Sequence, residues 1–157
     1  MTITIRRPEY ADLGRYTELA VEFIAAAPIS KLVEITPDNV ADFLVRAIDN
    51  PDVGMWMAVK DGAIVGICGA LRYPLYFGPQ HIIVQELWWC LTPDARGSGA
   101  GQALYKTLED WAKENGAAAI FMIALDDDRV EKTSKFYARA GYKPLERTFA
   151  KGAGSWL

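Results

Sequence analysis

The sequence predicts an α/β (α+β) fold, a mixed sheet with helices on both faces, and three observations predict it. Segments of strand composition alternate with segments of helical periodicity, in the order βααβββαβαβ. Residues 54–60 and 63–72 are apolar runs joined by Asp61-Gly62, a strong hairpin signal. Residues 81–108, HIIVQELWWCLTPDARGSGAGQALYKTL, read as a strand, a short loop and a helix.

Each element has its own local signal. Residues 2–6 alternate as a short strand. Leu13, Tyr16, Leu19, Ala20 and Phe23 recur at helical spacing after Pro8, and Pro28 ends that helix. A linker through Val33 leads to Thr36-Pro37-Asp38-Asn39, with Thr36 as N-cap and Pro37 in the first turn. Val40, Phe43, Leu44, Ala47 and Ile48 form the apolar face of this second helix. After the hairpin, residues 73–80 read as an aromatic, proline-containing loop. Residues 81–91 carry the Ile, Val, Leu and Trp of a buried strand. Ala103, Leu104, Leu108 and Trp111 mark the next helix, which Asn115-Gly116 closes. Residues 117–125 read as a fully buried strand. Asp126-Asp127-Asp128 precedes a last helix reaching about Ala140, with Gly141 as its stop, and residues 142–151 read as a final strand.

The stretch Arg96-Gly97-Ser98-Gly99-Ala100-Gly101 carries the clearest chemistry. Three glycines at alternate positions let backbone approach a ligand without Cβ clashes. The helix that follows offers unpaired N–H groups and a partial positive charge, and Arg96 adds a full one. That combination suits a phosphate or pyrophosphate. The Gly-Lys-Ser/Thr ending of an NTPase phosphate loop is absent. A dinucleotide fold would place its glycines after a first strand, with an acid about twenty residues on. The plain alternative is a tight turn with no ligand.

Composition narrows the function classes. At 157 residues, half of them apolar, one domain over 1–157 is expected. Cys68 and Cys90 do not suggest a disulfide framework, and His81 is the single histidine, so no metal site is expected. The longest apolar run is too short to span a bilayer as a helix, and residues 1–7 lack the apolar core of a signal peptide. The expectation is a cytoplasmic protein without a membrane partner. The net charge of −3 is unevenly spread: residues 1–128 carry 10 Lys/Arg and 18 Asp/Glu, residues 129–157 seven and two. A globally acidic chain is a poor match for nucleic acid. The basic end could attract an anion, although solvated helix and strand faces account for it better.

Two signatures together carry a resemblance. Arg96-x-x-Gly99-x-Gly101, after a strand ending in Leu-x-Pro, resembles the acyl-CoA pyrophosphate motif of the GNAT superfamily of N-acyltransferases. Phe136-Tyr137-Ala138-Arg139-Ala140-Gly141-Tyr142 resembles the Tyr-x-x-x-Gly-aromatic segment near the C-terminal end of that family. The resemblance implies a mostly antiparallel sheet of six to seven strands. It also implies acetyl-CoA as co-substrate, an amine-bearing acceptor and direct transfer without a metal. Cys90 and Leu91 fall at the strand end that pairs with pantetheine, and Arg96, Gly97, Ser98, Gly99, Ala100 and Gly101 at the pyrophosphate. There are two departures. Val130 stands where many relatives have an asparagine, and the segment after Gly141 is short, which implies loss or shortening of one late strand.

Acyl transfer to an amine needs a base, an oxyanion donor and an acid for the departing thiolate. Glu86 is the acid residue within an apolar strand, where desolvation would raise its pKa toward a useful value. The family places a glutamate on this strand as base. The other reading is a glutamate that faces a polar edge or caps a backbone amide. Tyr137 falls where the family has the tyrosine that protonates the thiolate; the other reading is a core aromatic. A backbone N–H near Leu91 could serve as oxyanion donor. Cys90 as a nucleophile conflicts with its place in a buried strand. Trp88 and Trp89 should face opposite ways, one filling the core. The other, with Tyr73, Tyr76 and Phe77, is expected to line an acceptor pocket or a subunit contact, as in a homodimer. Asp126, Asp127 and Asp128 read as a helix N-terminal charge cluster or an acceptor-amine site. The reading from another class is a non-catalytic acyl-CoA-binding sensor or docking module. A nucleotide-binding module is a third.

Overall fold

A computed structural model describes residues 2–155; residue 1 and residues 156–157, the ends of the expected domain, lie outside the described residues. Strand β1 (Ile3–Arg6) leads through a 3-10 turn at Tyr10–Asp12 into helix α1 (Leu13–Ala26). Helix α2 (Pro37–Ala47) follows, then strands β2 (Val53–Lys60), β3 (Ala63–Leu75) and β4 (Gly78–Leu91). Helix α3 (Ala100–Glu114), strand β5 (Ala117–Phe121) and helix α4 (Val130–Arg139) complete the order. The sheet runs β1-β2-β3-β4-β5. Its first four strands are antiparallel, and β5 lies parallel to β4.

The local signals act as their chemistry requires. Thr36 Oγ1 accepts from Asn39 N at 3.2 Å, and Asn39 Oδ1 accepts from Thr36 N at 3.0 Å, a reciprocal cap that starts α2. Asp61 (φ 51°) and Gly62 (φ 82°) are both left-handed, as a twist-matched two-residue hairpin demands. Helices cover both faces. Helices α1 and α2 pack Tyr16, Leu19 and Leu44 against Met55, Met57, Ile67 and Trp88. On the opposite face α3 packs Leu104, Leu108 and Trp111 against Trp56, Cys68, Ala70 and Val84.

Three expected elements differ. Residues 73–80 are not a loop: β3 and β4 continue as a long hairpin, with Pro74 opposite Ile82 and only Tyr76 and Phe77 at the turn. Since β2 stops pairing at Leu71, this stretch of β3 has an open outer edge, where proline's missing donor does no harm. Strand β5 ends at Phe121 rather than 125 and is half-buried, lying at the edge of the sheet. Residues 142–151 form no strand, so the sheet has five strands among the described residues and not six or seven. Strand composition alone does not make a strand: Pro144 lacks a donor, and Leu145 and Phe149 lie exposed with no strand paired beside them among the described residues.

The tandem tryptophans do part to opposite faces. Trp88 is buried against Tyr16 and Phe43 on the α1/α2 side, its Nε1 donating to the Tyr16 hydroxyl at 2.9 Å. Trp89 packs against Tyr105, Phe136 and Tyr137 on the other side. It does not join Tyr73, Tyr76 and Phe77: the Tyr73 hydroxyl donates to Gln85 Oε1, and Tyr76 and Phe77 pack edge-on to each other at the exposed hairpin tip.

Candidate functional site

The site residues meet where the sheet opens. Strands β4 and β5 pair from Ile82–Ala117 to Gln85–Phe121, and then part. From Glu86 onward β4 keeps β3 on one side, ending at Leu91 opposite Gly66, and has no strand on the other among the described residues. The β3–β4 ladder also slips here: Gly69 faces Trp88 while Ala70 faces Glu86, so Leu87 is an extra, bulged residue. Simple alternation would send Glu86 and Trp88 to the same face. With the bulge, Leu87 and Trp88 pack in the α1/α2 core while Glu86 reaches into the opening.

Glu86 is 4% exposed, and its Oε2 accepts from Ile123 N at 3.1 Å, in the segment just past β5. Burial pushes its carboxyl up to about 7, only partly opposed by that backbone donor. Glu86 therefore caps a backbone amide, one of its two readings, with its carboxyl raised toward neutrality by burial. Tyr137, on α4, is buried and donates from its hydroxyl to Ile123 O at 3.1 Å. Burial first, and the Glu86 carboxylate second, hold its phenol well above the ordinary value. The candidate base and acid thus flank the backbone of a single residue.

The glycine loop lies at the far end of the same strand. A 3-10 turn at Pro93–Ala95 leads to Arg96, which is exposed. Gly97 (φ 80°) and Gly99 (φ 89°) are left-handed, and Cβ atoms there would meet nothing within 4 Å, so both face open space. Gly99 is the N-cap of α3 and its carbonyl accepts from Ala103 N, which leaves the amides of Gly101 and Gln102 outside the helical ladder. Ser98 Oγ donates to Ala95 O at 2.6 Å and accepts from Ala100 N at 3.4 Å, fixing the turn. Ala100 is buried, and a Cβ on Gly101 would come within 3.2 Å of Leu91 Cδ1. The loop is therefore seated tightly on β4 while its left-handed corners stay open, an arrangement able to accept an anion.

Other candidates resolve differently. Burial, with Glu22 and Glu86 nearby, pushes the Cys90 thiol up to about 12, which favours the neutral thiol over a nucleophilic thiolate. Asp127 accepts from Arg129 N at 2.8 Å and pairs with the Arg129 guanidinium at 3.0 Å, a local cap at the start of α4. Val130 opens α4, and His81 is exposed on β4. Among the described residues no three His, Cys, Asp or Glu side chains gather as a metal site. No helix among them is long and apolar enough to cross a membrane. The cavities of about 490 Å³, beside Arg6, Asp12 and Asp94, and about 270 Å³, beside Asp52 and Tyr73, lie off this opening. Sequence reasoning missed Ile123, because backbone partners leave no mark in side-chain identity. It also missed Trp89's place beside Tyr137, which the pairing of Phe136 and Tyr137 with a strand aromatic could have suggested.

The family model described as acetyltransferase (GNAT) family matches residues 17–142. Among solved structures, AAC(6')-Iy in complex with a CoA-S-monomethyl-acetylneamine bisubstrate analogue superposes with a TM-score of 0.77 at 14% identity, covering 96% of this chain and 97% of that one. A transcriptional regulator from Bacillus halodurans C-125 gives 0.75 at 19%, covering 96% and 99%. Glucosamine-6-phosphate N-acetyltransferase from Arabidopsis thaliana gives 0.75 at 14%, covering 98% and 99%. At these identities the likeness is one of fold. No match to the chain is found among curated proteins.

Proposed function

The chain belongs to the acetyltransferase (GNAT) family, and from that premise we propose that it is an N-acetyltransferase. It moves an acetyl group from acetyl-CoA to a primary amine by direct transfer, with Glu86 as general base and Tyr137 as general acid. The observation that carries this reading is the convergence of Glu86 and Tyr137 on Ile123, where β4 and β5 part. The loop from Arg96 to Gly101 takes the pyrophosphate, and the backbone of Cys90 and Leu91 takes the pantetheine arm.

The steps follow from the groups present. An ammonium has no lone pair, so the acceptor gives a proton to the Glu86 carboxylate, whose pKa of about 7 suits that exchange. The amine nitrogen then attacks the thioester carbon, and a backbone N–H at the end of β4 supports the oxyanion. The C–S bond breaks, and the thiolate takes a proton from the Tyr137 hydroxyl. The tyrosinate is restored by the second proton that the attacking nitrogen must lose to become an amide, while Glu86 releases the first to solvent. The two proton movements are linked. Once Glu86 is protonated, its charge no longer holds the Tyr137 phenol up, so the first step makes the second acid stronger. Tyr137 must exchange its bond to Ile123 O for one to sulfur, at little net cost because one hydrogen bond replaces another.

Tyr137→Phe keeps the ring and removes the donor. The expected result is a fall in kcat of roughly ten- to a thousandfold with little change in the KM for acetyl-CoA, the pattern of an interaction made mainly in the transition state. A donor with a low-pKa thiol should be hurt less, since it needs less help in leaving. Equal losses with both donors would remove proton delivery to sulfur from the account.

The same geometry gives a second reading some footing. Both side chains already have backbone partners at Ile123, as they would in a non-catalytic acyl-CoA-binding sensor or docking module. Such a module binds CoA and leaves the thioester intact.

A further inference from the structure

One side chain touches both halves of the site. Trp89 Nε1 donates to Gly101 O at 3.1 Å, in the first turn of α3 just after the glycine loop. That contact is close on all sides, because a Cβ on Gly101 would lie 3.6 Å from Trp89 Cζ2 and 3.2 Å from Leu91 Cδ1. The same indole has ring centroids at 5.4 Å from Phe136 and 6.2 Å from Tyr137, and Phe136 in turn stands edge-on to Tyr105 of α3 at 5.2 Å. Helix α4, which carries Tyr137, has no sheet strand after it among the described residues, and this aromatic cluster ties it to β4 and α3. Tyr105 and Tyr142 strengthen it, both donating to Glu109 Oε1.

We infer that Trp89 is a positioning residue that couples the anion loop to Tyr137: its N–H anchors the first turn of α3, and its ring sets the ring of Tyr137. The inference rests on the acetyl-CoA reading above. A ring as broad as indole is needed for both tasks, since a phenyl group at the same position reaches Tyr137 but carries no donor for Gly101 O. The two tasks can therefore be separated by substitution.

The test titrates CoA into the wild type, Trp89→Phe and Trp89→Leu by calorimetry, with each protein also labelled with 3-fluorotyrosine for 19F NMR. Tyr137→Phe identifies the Tyr137 resonance, and Tyr73, on the distant hairpin, is the internal control. Trp89→Phe should lower CoA affinity about fivefold, the scale of one net hydrogen bond used to hold the loop ready, and leave the Tyr137 resonance in place. Trp89→Leu should lower the affinity at least as much and also shift the Tyr137 resonance while Tyr73 stays put. Undiminished CoA affinity in folded Trp89→Phe, or a Tyr137 resonance unmoved in Trp89→Leu, would overturn the coupling. A purely structural loss would move the tyrosine resonances together, Tyr73 included, and would overturn it too. A wild type that binds no CoA at all would instead bring down the acetyl-CoA reading beneath it.

Discussion

A Gly99→Glu variant should lose CoA affinity by roughly a hundredfold or more, since like unit charges about 4 Å apart repel by about 4 kcal/mol at an effective dielectric of about 20. Two effects act at this position. The backbone is left-handed, at φ 89°, which costs a non-glycine residue about 1–2 kcal/mol. The new side chain would point into open space above the loop, where nothing lies within 4 Å, and so puts its charge where the pyrophosphate is proposed to sit. Gly99→Asn separates the two, because asparagine tolerates the left-handed region and carries no charge. The asparagine variant should keep most of the affinity. Calorimetry showing full CoA affinity in folded Gly99→Glu would take the loop out of the site.

Glu86→Gln should lower turnover by about a hundredfold or more, the scale of a general base. Glutamine keeps the shape and can still accept from Ile123 N, so the fold is spared. The pH profile gives the sign. Ionised Glu86 is the working form and its carboxyl sits at about 7, so the wild-type kcat/KM should rise with pH through about 7. That limb should vanish in the glutamine variant. The deficit should also shrink at high pH, where more of the acceptor arrives already deprotonated. A variant with the wild-type rate and profile would leave Glu86 as a cap on the Ile123 amide.

Much of this arrangement was legible because its signals are local. Thr36-Pro37 dictates a helix start by its own side chain and ring, Asp61-Gly62 a hairpin by its dihedrals, and Gly97 and Gly99 a loop with left-handed corners. Glu86 and Tyr137 stood out because each breaks or fits a pattern within a single element. What could not be read depends on partners. Pro74 looks like a breaker until β2 is known to end before it. Residues 142–151 carry Tyr, Leu, Thr and Phe as a strand would, yet pairing is a property of two segments and no second one lies alongside among the described residues. The bulge at Leu87 is a matter of register, and it alone sends Glu86 and Trp88 to opposite faces. The shared partner at Ile123 is likewise a backbone group, which carries no residue signature.

Acetyl-CoA turnover over a panel of amines, small molecules, peptides and modified nucleosides together, tests the central proposal most directly. With free thiol and acetylated product both measured, the account predicts thiol release that requires one class of amine and matches acetylated product mole for mole. CoA binding with the thioester left intact across the whole panel would contradict it, and would make the chain a binding module built on an acetyltransferase fold.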